Sequence, residues 1–232
     1  MRKLEICCAD INSVIAAKQG GAQRVELCTG LEEGGTTPSP ALVEAAVATG
    51  MPVHVLIRPR GGDFVYSALE KQIMLRDVEM AVRMGVKAVV VGALEANGCI
   101  DTAFVRDAVQ AAGNAQVTFH RAFDRCAAPA EALEVLIENG VDYLLTSGCA
   151  SSAMQGASLL KSLVNQADDR IEIIAAAGIK SSNLAQLISL TGCRQYHASA
   201  RIVIPPVSPD PLFPPFYPAD KNEVERLARL LK

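Results

Sequence analysis

The chain contains three histidines, His54, His120 and His197, and each lies in a short apolar run beside other polar residues. Glu5 and Cys7 interrupt the run Leu4–Ala9, Glu26 and Cys28 the run Arg24–Cys28, and Arg58 closes Pro52–Arg58 together with His54. His120 belongs to Gln116–Phe123 and His197 to Gln195–Ala200. Side chains point to alternate faces along a strand. One register of these runs is apolar: Leu4, Ile6 and Cys8, then Val25 and Leu27, then Val53, Val55 and Ile57, with Val117 and Phe119, and Tyr196 and Ala198, further on. The opposite register collects Glu5, Cys7, Glu26, Cys28, His54, Arg58, His120 and His197.

Three chemistries suit that set. Glu5 or Glu26 can act as a general base with His120 or His197 as the acid, and His54 completes this candidate catalytic group. Cys7 and Cys28, with the histidines, are soft ligands suited to Cu(I) or Zn(II). The third chemistry is capture of a small anion. Arg58 and Arg60 sit in the loop Arg58-Pro59-Arg60-Gly61-Gly62-Asp63-Phe64-Val65-Tyr66-Ser67, which has the layout of an anion-binding lid. Gly178 follows the seventh run and Arg201 the eighth, where many barrels hold a phosphate. Ser147, at the end of the sixth run, completes the candidate substrate-binding set. Taken singly, a buried histidine or cysteine is an ordinary core residue, and a capped loop is an ordinary loop. The convergence of so many polar groups on one register is what points to a site.

The elements that must position them alternate regularly. Besides the runs above, Ala88–Gly92, Tyr143–Ser147 and Ile171–Ala177 bring the total to eight, and helical patterns follow them. Met74, Leu75, Val78, Ala81 and Val82 form one stripe ending at Gly85, and Met80 and Met84 are read as further packing residues. Pro129 opens a helix that Gly140 stops, and Ser181-Ser182-Asn183 opens one that Gly192 stops. Asp10 or Asn12 is placed as a cap for the first helix, and Thr37-Pro38 as cap and first turn of the second. Alternating strands and helices imply parallel pairing, and eight units predict a single-domain (β/α)8 barrel over residues 1–232. The competing open sheet usually carries a Gly-rich turn after its first strand, where this chain has Cys7-Cys8-Ala9-Asp10. A Pro-rich arm is expected at 205–218, stiffened by seven of the twelve prolines and packed through Val207, Leu212, Phe213, Phe216 and Tyr217. A terminal helix at about 222–231 closes the ring.

Composition bounds the function. At 232 residues the core needs no staples, and seven cysteines without a CxxC pair form neither a complete disulfide framework nor a zinc ribbon. A net charge of −3 without a basic run speaks against a nucleic-acid partner. No apolar stretch reaches the length of a membrane span, and Glu5 and Asp10 fall where a signal peptide needs an apolar run. The expectation is a reduced, cytoplasmic protein with a small anionic ligand or a copper ion as partner.

The strings LEICCAD, RVELC, GGTTPS, VLIRPRGGDFVYS, TFHRAFD, LLTSG and AAAGI, in this order, resemble the CutC family from residue 1 to at least Arg201. Glu5, Cys7, Glu26, Cys28, His54, Arg58, His120, Arg121 and Asp124 match family positions. The resemblance implies a cytoplasmic TIM-like barrel, a homodimer, and an association with copper homeostasis in which cysteines bind Cu(I). The polar channel beneath an arginine-bearing loop looks more like an enzyme site for a small anionic metabolite, phosphorylated or carboxylated.

Overall fold

The structure is a computed structural model that describes residues 2–205 and 215–232. Eight parallel strands close a barrel in chain order: β1 (Lys3–Cys8), β2 (Arg24–Leu27), β3 (Val53–Leu56), β4 (Ala88–Val91), β5 (Gln116–Phe119), β6 (Tyr143–Thr146), β7 (Glu172–Ala175) and β8 (Gln195–Ala198). Around it lie α1 (Ile11–Gln19), α2 (Pro40–Ala48), α3 (Ala68–Arg83), α4 (Thr102–Ala112), α5 (Pro129–Glu138), α6 (Ala157–Ala167), α7 (Leu184–Thr191) and α8 (Lys221–Leu230). Lys3 pairs with Gln195 and Glu5 with His197 where the ring closes. The expected (β/α)8 architecture is the observed one, and α8 packs against α1 and α7 to complete the outer layer. Among the described residues, no helix is long and apolar enough to cross a membrane.

The outward register of the strands is dry. Leu4, Ile6, Cys8, Val25, Leu27, Val53, Val55 and Ile57 are buried in the main core between barrel and helices. Burial of each such large side chain stabilises the fold by roughly 1.5–3 kcal/mol. The inward register is divided. Tyr143, Leu145, Ile174 and Ala176 of the β6 and β7 segments form an apolar cluster inside the barrel. Charged and polar residues fill the side built by β8, β1, β2 and β3.

Local chemistry sets the element boundaries. Asp10 caps α1, accepting from Ser13 N at 2.9 Å, and Ser67 with Glu70 forms a reciprocal capping box on α3. The second helix begins later than expected, with Ser39 as its cap and Pro40 in its first turn. Thr37 is committed elsewhere, its hydroxyl accepting from Arg58 N at 2.9 Å. Strand β5 stops at Phe119, and residues Arg121–Arg125 turn into a 3-10 helix instead of extending it. Met74 is buried and Met84 packs on the core, but Met80 is 42% exposed and lies outside the core cluster.

Beyond β8, Arg201 pairs with Ala219 and Ile204 with Phe216 in an antiparallel ribbon. Ile202, Val203, Ile204 and Phe216 are exposed on it. Of the apolar residues expected to pack the arm, Val207, Leu212 and Phe213 lie outside the described residues. Cys149, Ala177 and Ala200 take left-handed φ angles of +55°, +79° and +45° without being glycine. All three follow the C-terminal ends of β6, β7 and β8, and such strain gathers at functional rims.

Candidate functional site

Two polar layers occupy the barrel axis. In the lower one, Arg24 Nε donates to Glu5 Oε2 at 2.5 Å, and Arg24 Nη1 donates to Gln195 Oε1. Gln195 in turn donates to Glu172 Oε2 at 2.8 Å. His54 Nδ1 lies 3.4 Å from Glu5 Oε2, and both His54 and Arg24 lie against the Tyr143 ring. Glu5, Arg24 and His54 are all buried. Burial alone would raise the Glu5 carboxyl, but Arg24, His197 and His54 together hold it well below the usual carboxylate range. Burial lowers His54 to about 4 despite Glu5 beside it.

The upper layer opens to a cavity of about 320 Å³ at the C-terminal end of the strands. His197 Nδ1 donates to Glu5 Oε1 at 2.7 Å, and its Nε2 lies 3.8 Å from Glu26 Oε2. Burial opposes charge on this imidazole, but Glu26, Cys7 and Glu5 outweigh it and raise its pKa well above 6.5. Burial raises Glu26 above the ordinary 4.5, with His197 working against the shift. Cys7 Sγ is 3.8 Å from Cys28 Sγ, and the Cys28 contact followed by burial keeps the Cys7 thiol well above 9. One donor atom each from Cys7, Glu26 and His197 falls within a 4.8 Å cluster, a spacing that a single soft metal ion can span. His120 lines the same cavity from β5, across the ring from β1.

The expected residues divide by position. Glu26, Cys7, Cys28, His120, His197, Arg58, Gly178 and Arg201 line the cavity. Glu5 and His54 lie beneath it and act on it through contacts. Arg58 reaches the wall with its guanidinium already engaged, Nη1 with Glu33 O at 2.7 Å and Gly35 O at 2.8 Å, Nη2 with Gly62 O at 2.8 Å. Arg60 lies off the cavity, donating to Glu70 at 2.6 Å and lying over the Tyr66 ring. Ser147 is fully buried and donates to Asp124 Oδ2 at 2.8 Å, behind the wall rather than on it. The turn leading into α7 is occupied from within, since Ser181 N and Oγ both donate to the Glu223 carboxylate of α8.

Arg24 belongs to this polar network although it is absent from the expected set. It continues the series Cys28, Glu26 two residues further back, a signal present in the sequence. Arg121 also lines the cavity while pairing with Asp124 at 2.8 Å. Asp124 accepts from Thr146 Oγ1 at 2.5 Å and from the backbone of Ser147 and Cys149, fastening the 3-10 turn to the end of β6.

A sequence model of the CutC family matches residues 2–202. A CutC family protein of Chromobacterium violaceum is 50% identical over 199 residues, 85% of this chain and 81% of the relative. Another, from Bacteroides thetaiotaomicron, is 47% identical over 201 residues, 86% of this chain and 81% of the relative. A crystal structure described as a copper homeostasis protein CutC, from Streptococcus agalactiae, superposes with a TM-score of 0.82 at 32% identity. It covers 86% of this chain and 99% of that one.

Proposed function

The chain belongs to the CutC family, and we propose that its barrel mouth is an acid–base site for a small phosphorylated or carboxylated metabolite. The observation that carries this reading is the approach of His197 Nε2 to Glu26 Oε2, 3.8 Å apart inside a cavity that Arg121 and Arg201 also line. Glu26 serves as the base and His197 as the acid. Glu5 fixes the imidazole through Nδ1, as a carboxylate orients a catalytic histidine. The two rim arginines attract the anionic group of the ligand. A thermal-shift screen against anionic metabolites tests this directly. A ligand at 100 times its Kd adds about 2.7 kcal/mol, a shift of several degrees. Arg201→Ala is expected to abolish that shift, and the reading fails if no anionic compound stabilises the wild type.

A second reading rests on its own observation, the 3.8 Å separation of Cys7 and Cys28 beside His197 and Glu26. We propose on that basis that the cavity takes up Cu(I) as cargo, in keeping with the copper homeostasis description of the streptococcal relative. Copper analysis after anaerobic Cu(I) loading tests it: Cys28→Ser should lose stoichiometric metal while Cys99→Ser keeps it. An empty wild type would remove copper from the account. We extend the proposal to a reducing, cytoplasmic setting, supported by seven unpaired thiols. A homodimer is supported by the exposed apolar residues of the ribbon, and the net charge of −3 supports no nucleic-acid partner.

A further inference from the structure

Gly92 follows β4 at the point where the His120 ring crosses it. A Cβ at this position would lie 2.3 Å from both Nδ1 and Cε1 of His120, so the absence of a side chain is what admits the imidazole. Ala122 N donates to Nδ1 at 3.1 Å. That nitrogen therefore carries a lone pair, and the ring proton of the neutral form resides on Nε2. An imidazolium would have no lone pair to accept from Ala122. Burial, with Arg58 nearby, also opposes charge on the ring and lowers its pKa to about 3. Phe64 packs on the ring with centroids 5.0 Å apart, and Phe119 at 6.0 Å. His120 is 5% exposed, its ring borders the cavity, and its Nε2, barely open to that space, has no hydrogen-bond partner in the protein.

A buried N–H left unpaired costs free energy that a fold rarely tolerates without use. Here the donor belongs to a ring that lines the cavity, held in one tautomer and braced by aromatic contacts. The opposite wall carries Glu26 and His197.

We infer that His120 is a preformed neutral donor for a carbonyl oxygen of the ligand, and that the substrate is a small anionic oxo compound enolised in the cavity. The inference rests on the acid–base reading of the site and names the chemistry that reading leaves open. Glu26 takes a proton from the carbon next to the carbonyl. The C–H electron pair becomes the new C=C bond, and the carbonyl π pair moves onto oxygen, where the His120 Nε2–H holds the developing charge. Once Glu26 has traded its proton with solvent, return to the same carbon completes an exchange. In a hydroxy ketone, delivery to the former carbonyl carbon instead completes an isomerisation, with His197 giving a proton to that carbon's oxygen and taking one back from the neighbouring hydroxyl.

Two measurements test it. In the free protein, 15N NMR of the imidazoles, with His120 assigned by His120→Gln, should show an Nε2–H tautomer that does not titrate between pH 5 and 8. An Nδ1–H tautomer or a titration in that window overturns the inference. In D2O, pyruvate, 2-oxoglutarate and dihydroxyacetone phosphate are followed by proton NMR. Deuterium should enter next to the carbonyl of at least one of them faster than in buffer. The rate should fall roughly 10²–10³-fold in His120→Ala, and less in His120→Gln, which retains a donor and controls for folding. If anionic metabolites stabilise the protein but no carbonyl compound exchanges, this inference falls and the acid–base reading survives. If no anion binds, both fall.

Discussion

Glu5 and His197 meet at 2.7 Å, carboxylate oxygen to Nδ1, across the seam where the first strand of the barrel closes on the last. The other oxygen of the same carboxylate takes Arg24 Nε. One buried anion thus balances two cations, and neither cation has a second carboxylate as close. Glu5→Leu should therefore destabilise the fold by about 3–5 kcal/mol, the usual consequence of stranding a buried charge. Adding Arg24→Leu to it should restore a large part of the loss. Urea unfolding of the single and double variants checks both statements, and a single-variant loss under about 1 kcal/mol would contradict them.

The histidines predict an acid limb to stability. His54 and His120 are lowered to about 4 and about 3, chiefly by burial, while an unfolded histidine titrates near 6.5. Between those values the unfolded chain binds more protons, so stability falls as pH drops from 6.5 toward 4. Over their full windows the rings of His54 and His120 are worth on the order of 3 and 5 kcal/mol respectively. His197 behaves oppositely. Its pKa is raised, so its contribution is complete below 6.5 and is lost only as pH climbs through the folded value. Glu26, raised by burial, also gives its contribution on the acid side and offsets part of the limb. Urea midpoints from pH 7 to 4.5 should decline, and the decline should be shallower in His54→Gln.

Gly92→Ala is the smallest change that reaches His120. The added methyl would sit 2.3 Å from the ring, and overpacking of this kind costs about 1–3 kcal/mol. The ring must move, and its bond from Ala122 N goes with it. A lowered Tm together with a titrating His120 signal is the expected pair of results. An unchanged His120 spectrum would show that the glycine is not what seats the ring.

Arg58 joins two loops through the Glu33, Gly35 and Gly62 carbonyls. Lysine keeps the charge but lacks the planar fork. Arg58→Lys should lower stability by about 2 kcal/mol and speed amide exchange over residues 33–37 and 58–63. Slow exchange retained in both loops would place their anchorage elsewhere.

Much of this was legible in the sequence because the barrel is asymmetric in chemistry. Helices cover the outward register, which must be apolar, so glutamates and histidines at alternate positions could only point inward. Glu26, His197 and Cys7 come together for that reason. Arg24 lies on the Glu26 side of the second run, one place before its first apolar residue, Val25, where a strand end and a strand interior look alike in sequence. The loop arginines were harder. Arg58 and Arg60 stand above the channel in sequence, but the carbonyls and the Glu70 carboxylate that engage them arrive from folding. No local spacing encodes such partners. Met80 shows the limit of periodicity, since it lies two residues past buried Val78 and so faces the other side of α3.

The seam has a consequence for the order of folding. Glu5 and His197 are 192 residues apart in the chain, and Arg24 and Gln195 are 171 apart. Contacts of such long range are slow to form, because the loop-closure entropy comes due before they contribute. The chain emerges from its N-terminal end, so β1 and β2 exist long before β8 is made. Until the last strand arrives, Cys7 and Glu26 have no His197 beside them and the Glu5 carboxylate lacks half its countercharge. The site is therefore assembled by ring closure itself, and a nascent or truncated barrel carries its thiols and carboxylates without the arrangement that would let them act.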